Sequence, residues 1–193
     1  MSSSQIDKAF AEDLGKSLGG CATELTLGVY HREAARAARA GLSWLPFVGT
    51  AKRRRFQLLW SCCLESIAAW CAAQKIPEIA KNEKLFSKVV FNIQTYANSV
   101  MGETFLKQFG QEDLRTFAQI RREFMRLNKQ PQLDKDDFSR AFLATLFDKK
   151  PSEISQSDVE RFRHPIGLAI NVFEKMIRIS LEKLEAANQP KQS

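Results

Sequence analysis

Histidine is nearly absent from this chain of 193 residues, with only His31 and His164 present. No cysteine pair has the C-x₂-C spacing of a zinc site, so the sequence argues against a metal centre. Glycine-rich phosphate loops are missing as well: Gly15, Gly19 and Gly20 follow no strand, and no G-K-[ST] occurs. There is no Ser-bearing elbow, no companion metal ligand for either histidine and no Glu-x-x-His repeat of the di-iron bundles. The sequence therefore predicts neither a catalytic constellation nor a cofactor. Apolar residues almost never alternate with period two, which removes β-sheets from the expected fold.

Long uncharged apolar stretches are also lacking. Phe56 to Ala73 gives 18 residues, but Glu65 stands in their middle, which suits the core helix of a bundle better than a membrane span. Lys8, Glu12 and Asp13 interrupt the opening residues where the apolar region of a signal peptide would lie. The expected compartment is the cytosol. Cys62, Cys63 and Cys71 in one apolar stretch, with Cys21 far away, read as reduced and buried small hydrophobes.

Helical periodicity, by contrast, recurs throughout, and 44% apolar content is enough for a full core. The expectation is an all-α fold: one domain over 1–193, a compact bundle of seven or eight helices around a central apolar helix, with loose ends at 1–4 and 188–193. A first helix from Gln5 to Leu18 is closed by Gly19 and Gly20, a pair suited to the left-handed turn that ends helices. A second covers Cys21 to Leu42, and a connector from Gly41 to Gly49 follows. The third, Ala51 to Gln74, is apolar almost all round, with one narrow polar stripe at Gln57, Ser61 and Glu65. Pro77 starts a fourth region ending near Met101, and Gly102 and Gly110 bracket a short helix.

Further helices are expected from Gln111 to Leu127, from a cap at Asp134, and from a cap at Ser155 to Arg163. A last one runs from Pro165 to Ala187, with Glu174 and Arg178 as an i, i+4 pair on its outer side. The Asp134, Asp136 and Asp137 cluster reads as a capped helix start and not as a metal loop.

What is abundant is positive charge, and it is unevenly placed. The chain has 29 Lys and Arg against 22 Asp and Glu, for a formal net charge of +7. From Cys21 to Trp60, seven cations (Arg32, Arg36, Arg39, Lys52, Arg53, Arg54 and Arg55) outnumber Glu24 and Glu33, giving +5 and leaving +2 for all other residues. Arg32, Arg36 and Arg39 fall within about 60° of helical arc. A second stripe, Arg115, Arg122, Arg126 and Lys129, lies opposite Phe117, Ile120, Phe124 and Leu127. Guanidinium forks match phosphate oxygens, so these faces suit a negatively charged macromolecule, with nucleic acid backbone preferred. The bland alternative is a set of solvated faces with Glu33, Glu112 and Glu123 forming local ion pairs. A functional alternative is an interaction module, in which Trp44 to Phe47 and the adjoining Lys52 to Arg55 patch meet an acidic protein or an anionic membrane surface.

Overall fold

A computed structural model describes residues 6–27, 50–104, 111–128 and 133–188, with side chains outside 50–55, 100–104 and 111–114. These residues form seven α-helices and no strand: α1 Lys8–Leu27, α2 Thr50–Lys75, α3 Pro77–Lys81, α4 Glu83–Thr104, α5 Gln111–Leu127, α6 Lys135–Phe147 and α7 Gln156–Ala187. The all-α class expected from the periodicity is the observed one.

Helix α2 is the axis of the arrangement. It packs against each of the other six helices, and from Phe56 to Ala69 every residue except Gln57 is buried. Phe56–Lys75 is long and apolar enough to cross a membrane, but 78% of its most apolar window is covered by the protein itself. Its aromatic side chains link it to α6 and α7. Trp60 meets Phe142 and Phe162 edge-on at 5.5 and 5.8 Å, and the latter two rings stack at 4.7 Å. Such pairs each add about 0.5–1.5 kcal/mol beyond their buried area.

Three boundaries differ from the sequence expectation. Helix α1 does not stop at Gly19 and Gly20 but continues to Leu27, with Thr23 and Thr26 hydroxyls donating back to the carbonyls of Gly19 and Ala22. The glycines serve close approach instead of termination. A Cβ on Gly15 would stand 2.7 Å from the Val89 carbonyl oxygen, and one on Gly19 2.8 Å from that of Ile93, so α1 lies backbone to backbone on α4. The expected Cys21–Leu42 helix therefore loses its first seven residues to α1, and its remainder lies outside the described residues.

The region beginning at Pro77 is broken at Asn82, whose side-chain oxygen accepts from the amides of Lys84 and Leu85 and starts α4. Gly102 lies within α4, and 105–110 lie outside the described residues. The third correction concerns α7, one helix of 32 residues with Pro165 inside it. Val159, Phe162, Ile166, Ala169, Phe173 and Ile177 keep one buried stripe in phase across the proline. Packing of that stripe offsets the missing proline donor, which costs about 3 kcal/mol in an isolated helix. On α7, Glu174 pairs with Lys75 of α2 at 3.0 Å, while Arg178 pairs with Glu182 at 3.8 Å, so the expected Glu174–Arg178 pair does not form.

The two predicted caps form. Asp134 accepts from the amides of Asp136 and Asp137, and Asp137 returns a bond to the Asp134 amide at 2.9 Å. Ser155 accepts from the Asp158 amide. Asp136 also grips Arg163 through both carboxylate oxygens, tying the start of α6 to α7.

Candidate functional site

The cations singled out in the sequence divide between described and undescribed positions. Arg32, Arg36, Arg39 and Lys129, together with Trp44 and Phe47, lie outside the described residues. Lys52, Arg53, Arg54 and Arg55 occupy the first two turns of α2, whose first turn contains no acidic residue. Helix N-termini carry a partial positive charge, so each cation there is unfavourable by about 0.3–1 kcal/mol before any partner arrives. Their side chains lie outside the described residues.

The second stripe is on α5, and its geometry is complete apart from Lys129. Phe117 and Phe124 are buried, Ile120 and Leu127 half-buried, and Arg115, Arg122 and Arg126 exposed. At 100° per residue the three arginines stand about 140–180° from Phe117, directly away from α2. Among the described residues none of the three enters an ion pair. Arg122 donates its Nε only to the Ala118 carbonyl at 3.3 Å, and Glu123 accepts from Gln119. Glu123, one of the acidic partners expected for a solvated face, pairs with none of the three; Glu33 and the Glu112 side chain lie outside the described residues.

One arginine of α5 behaves differently, and the sequence reading missed it. Arg121 lies about 40° from Phe117, on the inward side. Its Nε approaches Glu65 Oε2 at 2.7 Å, and its terminal nitrogen donates to Glu65 Oε1 at 2.8 Å and to Asn98 Oδ1 at 2.9 Å. The guanidinium lies 4.4 Å from the centre of the Phe117 ring. Glu65 is wholly buried and also accepts from the Ser61 hydroxyl at 3.2 Å. Burial pushes the Glu65 carboxyl above its ordinary range, against the pull of the Arg121 charge and the bonds from Arg121 and Ser61. The signal was available in principle: a glutamate amid about five turns of mostly apolar neighbours on a core helix requires a cation on whichever helix covers it.

The remaining reactive side chains are quiet. Cys62, Cys63 and Cys71 are buried and Cys21 half-buried, all as free thiols whose pKa burial raises. Among the described residues no three His, Cys, Asp or Glu side chains converge into a metal-binding group. Comparison with protein-family models, curated proteins and solved structures finds no match for this chain.

Proposed function

We propose that this is a helical binding protein whose basic surface contacts nucleic acid backbone phosphates. The observation that carries the reading is the outward row Arg115, Arg122 and Arg126, which has no acidic partner among the described residues. From Arg115 to Arg126 the row runs about 16 Å along the helix axis. One strand of duplex DNA presents a phosphate about every 3.4 Å of axis, so about five phosphates fall within its reach. The cations at the start of α2 add charge at a helix end that already favours anions. The sequence carries no legible helix-turn-helix, and the contacts proposed are with the backbone and not with base edges.

The test is a salt titration of binding to a duplex DNA and to an RNA of equal length, followed by fluorescence anisotropy. Charge reversal of Arg115, Arg122 and Arg126 should reduce the slope of log K against log salt on duplex DNA by about 2.7, at about 0.9 per phosphate. Reversal of the exposed Lys81, Lys175 and Lys183 changes net charge equally and should move the slope much less. Absence of binding to both nucleic acids at low salt would overturn the proposal; sedimentation with anionic vesicles would then assign the surface to membranes.

A further inference from the structure

We infer that Glu65 is a positioning residue for the arginine face of α5, acting through Arg121 to fix the rotation and height of that helix on α2. The inference rests on the proposed reading of the Arg115–Arg126 row and adds how that row is held. The partner helix for α5 is chiefly α2, and the contact contains two adjacent polar links from neighbouring residues of α2. Glu65 accepts one hydrogen bond from the Arg121 terminal nitrogen at Oε1 and holds Nε in close ionic contact at Oε2, without hydrogen-bond geometry on that second arm, and Ser66 donates to the Phe124 carbonyl at 2.7 Å. Phe124 lies in the last turn of α5, so the Ser66 bond ties the C-terminal end of that helix to α2.

Apolar contact is non-directional, and Phe117, Ile120, Phe124 and Leu127 alone would tolerate a helix that slides or turns. A rotation equal to one residue is about 100°, enough to carry Arg115, Arg122 and Arg126 from the outer face to the flank of the bundle. The forked guanidinium fits the carboxylate in one orientation only. Asn98 of α4 takes the second bond of the terminal nitrogen, and the Phe117 ring lies against the guanidinium, so the fork is fixed by three elements. Setting register is the best-attested use of a buried ion pair, which contributes little net stability against an apolar pair of the same volume.

The test compares wild type with Glu65→Gln, Arg121→Lys and the double variant Glu65→Leu/Arg121→Met. Each is followed by hydrogen exchange of the α5 and α7 amides and by affinity for a duplex DNA at fixed low salt. Glu65→Gln adds a positive charge to the protein, so electrostatics alone would tighten binding; the positioning role predicts weaker binding by about threefold or more. Exchange in α5 should quicken by about tenfold or more, with α7 unchanged. Arg121→Lys keeps the charge and loses the fork, and should shift both readouts the same way. The apolar double variant, with unchanged net charge, removes both buried charges without restoring the fork, so binding should stay weaker and α5 exchange quicker than in wild type; return of both to wild type would reduce the pair to charge compensation and overturn the inference.

Equal or tighter binding by Glu65→Gln, or α5 exchange that does not change, overturns the inference. Should Glu65→Gln unfold, Arg121→Lys and the double variant decide by the same criteria. If the wild type binds no nucleic acid, the proposed function fails while the positioning role is still decided by exchange: quickening confined to α5 upholds it, and uniform or absent quickening overturns it.

Discussion

Replacing glycine by alanine inside a helix normally stabilises it by about 0.5–1 kcal/mol, because alanine loses less backbone entropy on folding. The close seating of α1 on α4 reverses that sign at two positions and leaves it intact at two others. At Gly15 an added Cβ would stand 2.7 Å from both the Val89 carbonyl oxygen and the Asn92 Cβ, and at Gly19 2.8 Å from the Ile93 carbonyl oxygen. Two of these neighbours are backbone atoms, so the helices must part by several tenths of an ångström, loosening Leu14, Leu18, Val89 and Ile93 in the seam. Overpacking of this kind costs about 1–3 kcal/mol. After the helical gain, Gly15→Ala and Gly19→Ala should each lose about 1–2 kcal/mol net.

An added Cβ on Gly20 would meet only the edge of the Tyr96 ring at 3.5 Å, and one on Gly167 would meet nothing within 4 Å. Those two alanine variants should be neutral to stabilising by up to about 1 kcal/mol. In a chain of this size 1 kcal/mol moves Tm by about 2–4 °C, so thermal melts by circular dichroism separate the two groups. If Gly15→Ala and Gly19→Ala melt as high as Gly167→Ala, the backbone-to-backbone packing of α1 on α4 is refuted.

Leu64, wholly buried on α2, should cost about 2–5 kcal/mol on truncation to alanine, against about 0.5 kcal/mol or less for Leu27, which is 52% exposed; equal denaturant midpoints would reject α2 as the central helix. Alkylation of the native protein followed by mass spectrometry should label Cys21 first and slowly, and Cys62, Cys63 and Cys71 only on unfolding, since all three are buried with raised pKa. Glu65→Ala should destabilise by about 3–5 kcal/mol by stranding the Arg121 charge, and Glu65→Leu/Arg121→Met should recover most of it; a single variant no worse than a surface pair would show that the fork is not formed. Because the folded pKa of Glu65 is raised, its contribution is full below its unfolded pKa of about 4.3 and is lost as pH rises through the folded value, so the stability gap between wild type and Glu65→Gln should narrow over that interval in urea titrations.

Features that depend on near neighbours in the chain were legible in the sequence. The amphipathic face of α5, the all-round apolar character of α2 and the caps at Asp134 and Ser155 each follow from residues within a turn or two of one another. The stop at Gly19 and Gly20 was misread because a glycine that ends a helix and one that admits a neighbouring backbone look alike until the neighbour is known, and here it is Ile93 on α4. Pro165 reads locally as a helix start; only the unbroken stripe from Val159 to Ile177 against the core shows why the helix runs through it. The Glu174–Arg178 spacing was right for a pair, yet Lys75 from α2 offered Glu174 a shorter contact.

The arginines of α5 put the same distinction in its functional form. Arg115, Arg122 and Arg126 were identifiable by their position opposite Phe117 and Phe124, whereas Arg121 falls at the edge of the apolar arc, where a long side chain can turn either way. What turns it inward is Glu65, 56 residues earlier in the chain. Composition counts all four as surface charge, but the fold divides them: one meets a buried carboxylate, and three stand on the opposite face with no acidic partner among the described residues. Like charges three and four residues apart on one helix face repel, and among the described residues no acidic side chain offsets that cost for these three. An external line of negative charge removes that cost, and this is the physical reason for assigning the α5 face, and not the total charge of +7, to the binding of a phosphate backbone.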